Sequence, residues 1–224
     1  MRRTAATYLD VQPNEFVSGI HISAQDGKTS SWAFLADVLE NGAGFSTHLG
    51  SPEEFPKYLS AINDYVESLR KPDHAESCSG SCYVCLRDYS NMAFHSLLDW
   101  RLAADLITAL SGEAPELDAD VTRRILAGWS QAYGAELADV GQYGQIRVPR
   151  GGETVVLIPC HPLEAYEDGT NTVVADRLAR EAAVASAESG ISAVVVADTF
   201  TMETAPRDVL ALIDAAIEES VESW

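Results

Sequence analysis

The chain predicts a mixed α/β fold: a helical module over residues 1–112, then a small α/β unit over 113–224 with a partly parallel sheet. Three observations carry that expectation. Apolar residues between Phe55 and Leu69 recur every three or four positions, the period of an amphipathic helix. Two apolar runs, at 154–158 and 191–197, flank a helix-length stretch, the order of a parallel strand pair joined by a right-handed crossover. Between the two patterns, Ser111-Gly112-Glu113-Ala114-Pro115 reads as a linker.

The elements follow in order. The first twelve residues are helix-like up to Pro13, and so abrupt a start suggests part of a larger unit. Residues 18–24 alternate as a strand does, Gln25-Asp26-Gly27-Lys28 makes a turn, and 32–39 is a second strand-compatible segment. It runs into Asn41-Gly42-Ala43-Gly44, whose glycines permit a tight path before Phe45. Phe55, Tyr58, Leu59, Ile62, Val66 and Leu69 line one face of a helix that leads directly to a cysteine run. Beyond that run Leu98, Leu102, Leu106 and Leu110 repeat every four residues, which predicts a second packed helix over roughly 95–110. After the linker, a helix from about 118 to 133 carries Val121, Ile125 and Trp129 on one face, and short strands around 136–140 and 145–148 precede the first apolar run. A helix from about 173 to 189 stops at Gly190 before the second run. A last helix, with Pro206 near its start and Val209, Ile213, Ala216 and Ile217 on its buried side, covers the sheet.

Chemistry is concentrated in Cys78-Ser79-Gly80-Ser81-Cys82-Tyr83-Val84-Cys85, which holds three of the chain's four cysteines. At C-x3-C-x2-C spacing, on a turn of small residues, three sulfurs can converge on one tetrahedral zinc ion at Zn–S distances of ~2.3 Å. A disulfide with a spare thiol is the rival reading. It needs an oxidising compartment, and the first eight residues lack the apolar stretch of a secretory signal. His95, nine residues after Cys85, is the expected fourth ligand; Cys160 is the alternative, if the second unit folds over the first. Asp99, one turn beyond His95, can accept the other ring N–H or stand solvated. Four protein ligands close the site, so the ion is expected to be structural rather than catalytic.

Composition narrows the function. Forty-six per cent apolar and 22% charged residues suit a globular chain, and no apolar run approaches the ~20 residues that cross a bilayer, so a cytoplasmic protein is expected. Fifteen basic against 34 acidic residues give −19, which disfavours a broad phosphate-tracking surface. Residues 70–101 are locally neutral, and that region can still touch a nucleic-acid backbone. Gly27-Lys28-Thr29 is not the end of a phosphate loop, because Ile22 stands where the first glycine belongs, and Gly42-Ala43-Gly44 lacks the third glycine of a dinucleotide fingerprint. In the second unit His161 and Asp198 fall at the ends of the two apolar strands, at the carboxyl edge where open α/β sheets bind ligands, with Glu164, Thr199 and Thr201 nearby. His161, between Pro159 and Pro162, can equally serve to orient a loop.

The stretch Phe34-Leu35-Ala36-Asp37-Val38-Leu39-Glu40-Asn41-Gly42-Ala43-Gly44-Phe45, the cysteine run, Leu86-Arg87-Asp88-Tyr89-Ser90-Asn91 and His95-Ser96-Leu97-Leu98-Asp99-Trp100-Arg101-Leu102-Ala103 together resemble a known module. It is the C-terminal zinc-binding domain, formerly of unknown function, of superfamily 2 DNA helicases of the mitomycin-repair (MrfA) type and of DISARM-type phage-defence proteins. His161-Pro162-Leu163 and residues 195–200 resemble the tail that follows this module in some of them, so the likeness reaches about Pro206. Met92 stands where that family often has glutamine, and the chain contains neither G-x4-G-K-[ST] nor an Asp-Glu-x-His run, so the ATP-driven motor is missing from it. The resemblance implies zinc at Cys78, Cys82 and Cys85 and a motor on another polypeptide. The expected function is a non-catalytic zinc-binding accessory subunit of a split DNA helicase, acting in DNA repair or anti-phage defence, with a helicase-like partner and nucleic acid reached through the complex. Two alternatives are a hydrolase or nuclease centred on His161 and Asp198, and a free-standing nucleic-acid binder using Tyr83, Arg87 and Tyr89.

Overall fold

A computed structural model describes residues 1–25, 28–39, 42–110, 112–164 and 172–222. The chain folds as two compact units, Met1–Ile107 and Thr108–Trp224. Among the described residues, no helix is long and apolar enough to cross a membrane. Parts of the expected turn at 25–28, of the glycine segment at 41–44 and of the linker at 111–115 lie outside the described residues.

The first unit opens with α1 (Arg2–Leu9), which ends on Asp10 in the left-handed conformation, and a short 3-10 turn at Pro13–Glu15. β1 (Phe16–Gln25) and β2 (Lys28–Asp37) then form a two-stranded antiparallel ribbon, paired from Phe16↔Asp37 to Gln25↔Lys28. Next come α2 (Phe45–Leu49) and α3 (Phe55–Leu69), whose Tyr58, Ile62, Val66 and Leu69 are buried as the periodicity predicts. The glycine segment is tight for a reason: Gly44 takes φ +76°, and a Cβ on Gly42 would lie 2.7 Å from the Asp37 side chain. One core packs Ala5, Phe16, Leu49, Tyr58, Ile62, Val66 and Ala104, which joins α1, α2 and α3 to α5 (Trp100–Leu110).

The expected helix over 95–110 is two elements. Residues Tyr89–Leu97 form a 3-10 segment opened by Asp88, whose carboxylate accepts from Ser90 N while Asn91 Oδ1 accepts from Asp88 N. Leu98 is extended, and α5 starts afresh at Trp100. His95 therefore sits inside the 3-10 segment rather than at a helix start. The division between the units falls within α5, a few residues ahead of the expected boundary.

In the second unit α6 (Ala119–Tyr133) is capped by Asp118, which accepts from Asp120 N and Val121 N, and is stopped by Gly134. β3 (Glu136–Ala138), β4 (Gln145–Arg150) and β5 (Glu153–Cys160) run antiparallel, and α7 (Thr172–Ser186) leads to β6 (Ala193–Asp198), which pairs parallel to β5. The unbroken apolar run of β5 is explained by cover on both faces. Val155 and Leu157 pack with Ile125, Leu126, Trp129, Val209 and Ile213, while Val156, Ile158 and Cys160 pack with Leu178 and Ala185. α8 (Thr199–Thr204) and α9 (Pro206–Glu222) complete the unit.

Candidate metal centre

α3 delivers the chain to Leu69, and Lys71 turns it into α4 (Pro72–Ala75), a single helical turn with proline at its first position. That turn places His74 one helical step before Cys78, whose N–H donates to His74 O at 3.0 Å. Cys82 and Cys85 follow on a tight knuckle: Cys85 N and Arg87 N both donate to Cys82 O, and Cys82 N donates to Cys85 Sγ at 3.0 Å. The ligand atoms of His74, Cys78, Cys82 and Cys85 all lie within 4.8 Å of one another.

Those distances suit one tetrahedral ion. Zn–S bonds of ~2.3 Å and a Zn–N bond of ~2.0 Å set sulfurs roughly 3.8 Å apart and a sulfur–nitrogen pair roughly 3.5 Å apart. Cys78 Sγ and Cys85 Sγ stand 3.9 Å apart, and Cys82 Sγ and His74 Nε2 stand 3.7 Å apart. A disulfide would need ~2.05 Å between sulfurs, and all four cysteines are free thiols. His74 Nδ1 lies 2.9 Å from Leu69 O. A proton on Nδ1, donated to that carbonyl, leaves the Nε2 lone pair facing the sulfurs, which is how outer carbonyls fix a metal-binding imidazole.

The turn is held from three sides. Tyr65 on α3 donates its hydroxyl to Val84 O and Cys85 O, and Trp100 on α5 donates Nε1 to Cys78 O and its backbone N–H to Gly80 O. From α1 the Arg3 guanidinium reaches Tyr83 O, Val84 O and Arg87 O. Leu69, Cys78, Cys85 and Trp100 are buried together, and the His74 and Trp100 rings form a T-shaped pair with centroids 5.3 Å apart. Cys82 is the least buried of the three thiols. Burial opposes its ionisation, yet the Cys85 and Val84 N–H groups and the His74 ring hold it down to about 6. Burial, then the neighbouring Cys82 and Cys85, push Cys78 up to about 11.

The structure thus brings Cys78, Cys82 and Cys85 together and supplies His74, not His95, as the nitrogen beside them. His95 Nε2 lies 3.1 Å from Asp88 O and 3.0 Å from Asn91 Oδ1, closing the 3-10 segment on itself, and its ring packs edge-on to Tyr83. Asp99 accepts from Arg101 N at 2.7 Å. Cys160 ends β5 in the other unit, where burial, then Glu164 and Asp198, push its thiol up to about 12. The sequence carries a local signal for His74: an imidazole four residues before Cys78, just after Pro72, which opens the short helical turn that holds it.

At the carboxyl edge of the second sheet, Cys160 pairs with Asp198 in register, so His161 and Asp198 do share that edge. Each has a local task. Asp198 Oδ1 accepts from Thr201 N and caps α8, while buried His161 accepts from Leu163 N through Nδ1 and gives its own backbone N–H to Glu164 Oε2. Glu164 in turn faces Arg177 at 3.4 Å, which pairs with Glu181 at 3.1 Å.

Fold and cluster together define a mixed α/β chain with a candidate metal centre of one histidine and three cysteines. No protein-family model, curated protein or solved structure matches it.

Proposed function

We propose that the chain is a non-catalytic zinc-binding module of a DNA-helicase complex, either an accessory subunit or the C-terminal module of a split enzyme, acting in DNA repair or anti-phage defence. The observation that carries the metal half of this reading is the closed set of one imidazole and three thiols. Four protein ligands leave a tetrahedral ion no open position for water, so zinc here ties α3, α4 and the turn before α5 together rather than hydrolysing a substrate. The free thiols suit a reducing cytoplasm. The helicase half rests on the resemblance of the cysteine block and of residues 34–45 to the module described above, and on the missing motor motifs.

Nucleic acid is reached through the complex. The arginines around the turn have acceptors of their own: Arg2 on Asp88 and Ser90, Arg3 on three carbonyls, Arg87 on Ser81 and Arg101 on Ser79 O. With a net charge of −19, little is left to neutralise phosphate.

Elemental analysis of the purified chain is expected to return about one zinc per chain, and chelation to abolish the cooperative unfolding of the first unit, because binding and folding are coupled at such sites. His74→Ala is expected to lose the metal and His95→Ala to keep it. The reverse result would reinstate His95, and iron or no metal would remove the reading. For the helicase half, the tagged chain expressed with its native genomic neighbours is expected to co-purify with an ATP-driven helicase subunit; elution alone would end that part.

A further inference from the structure

The donors of the metal centre are unequally sheltered. Cys78 is 4% exposed and Cys85 2%, whereas Cys82 is only partly buried. An oxidant that reaches the cluster therefore meets Cys82 first, and partial exposure is one of the features that separate reactive cysteines from inert structural ones. The fourth cysteine, Cys160, is 3% exposed and ends β5 in the second unit.

Cys82 also has a partner at hand. The Cys85 N–H donates to Cys82 O at 3.1 Å, the closing bond of a four-residue turn, which holds the two α-carbons within about 7 Å. A disulfide spans α-carbons roughly 4.4–6.8 Å apart. The Cys82 N–H donates to Cys85 Sγ at 3.0 Å, and the two sulfurs lie within 4.8 Å of each other. The bonds that shape this turn, from Cys85 N and Arg87 N to Cys82 O and from the Tyr65 hydroxyl to Cys85 O, involve no sulfur. None of them has to break for the two sulfurs to join.

We propose that the metal centre is a peroxide-sensitive switch, in which oxidation of Cys82 and its capture by Cys85 as a disulfide release the ion. This rests on the zinc reading above and adds regulation to it. In a zinc site each cysteine is already a thiolate, the nucleophilic form. The Cys82 thiolate attacks one oxygen of hydrogen peroxide; the O–O bond breaks, hydroxide leaves, and Cys82 carries a sulfenic acid. The Cys85 thiolate then attacks the Cys82 sulfur; the S–S bond forms, the S–O bond breaks, and a second hydroxide leaves. The two thiolates have lost two electrons in all, and the peroxide has taken them. His74 and Cys78 remain as donors, half of a tetrahedral set, so the ion is no longer held. What is lost is the tie between α4 and the turn, while the turn itself stays closed.

Hydrogen peroxide added to the purified full chain, its zinc content measured beforehand, tests this in the presence of a coloured chelator too weak to extract the metal by itself. Release of the whole zinc content is expected. Peptide mapping after alkylation of the remaining thiols is expected to show a Cys82–Cys85 bridge, with Cys78 and Cys160 alkylated. A dithiol reductant with added zinc is expected to restore the metal content. Zinc retained under peroxide, zinc lost without a bridge, or a bridge that joins Cys78 or Cys160 instead would each overturn the switch and leave the zinc reading standing. A chain that carries no zinc before peroxide is added would overturn both. Every readout is taken on the unmodified protein, so the folding of a variant does not enter the decision.

Discussion

Three successive backbone N–H groups, those of Gly44, Phe45 and Ser46, converge on the carboxylate of Asp37 at 2.8 to 3.1 Å, so this one side chain fixes both the glycine turn and the start of α2. The Ser46 N–H, against opposing burial and helped by the Ser46 hydroxyl and the other two donors, holds the Asp37 carboxyl below the usual carboxylate range. A depressed folded pKa stabilises the fold above the unfolded value of ~3.9, and the benefit fades as pH falls through the lower folded value. Asp37→Asn is therefore expected to lower stability by about 1 kcal/mol near neutral pH, the scale of a lost helix cap. The gap from the parent should shrink in thermal melts taken well below pH 4. A gap that stays constant into acid would mean that shape, not charge, carries the effect. Gly42 belongs to the same device, since any side chain there would strike Asp37.

At the scale of elements, α1 and α5 act on the metal turn from outside it. Arg3→Met removes charge-assisted bonds to three carbonyls, worth about 1.5–3 kcal/mol each at most and less where solvent can substitute. A clear drop in melting temperature is expected, with faster zinc transfer to a coloured chelator; unchanged transfer would confine Arg3 to a surface role. The long elements are legible in sequence because their periods are strong: of the residues that the spacing of α3 singles out, Tyr58, Ile62, Val66 and Leu69 are buried while Phe55 at its start is exposed, and the apolar runs of β5 and β6 are the parallel pair. The cysteine trio was legible because its spacing is local. Spacing alone does not choose His74 over His95: an imidazole becomes a ligand when its Nδ1–H donates to Leu69 O, which leaves Nε2 for the metal, and when Trp100 packs against it. His95 looked suitable because the leucine period of α5 was extended backward across Leu98, where the backbone is extended. The roles of Asp198 and His161 as cap and loop anchor depend on a register that sequence places only to the level of the sheet edge.

Across the whole molecule, each core is drawn from its own unit. Ala5, Phe16, Ile62 and Ala104, with Leu69, Cys78, Cys85 and Trp100, serve the first; Trp129, Ile146, Leu157 and Ile213, with Val156, Ile158 and Leu178, serve the second. The cluster of His74, Cys78, Cys82 and Cys85 belongs to the first unit, so zinc removal should register there alone. Trp100 and Trp129 report on the two units separately, the first bonded to Cys78 O and the second to Met202 O. In the full chain, Trp129→Phe leaves Trp100 as the buried tryptophan among the described residues, and its fluorescence transition is expected to disappear on chelation; Trp100→Phe leaves Trp129, whose transition is expected to persist. Leu157→Ala, which opens a cavity beside β4 and β6, should then lower the second transition by about 2–5 kcal/mol while zinc content stays unchanged. A single transition lost entirely on chelation, with both tryptophans responding together, would show that the metal governs the fold of the second unit as well and that the cores do not melt as they are built.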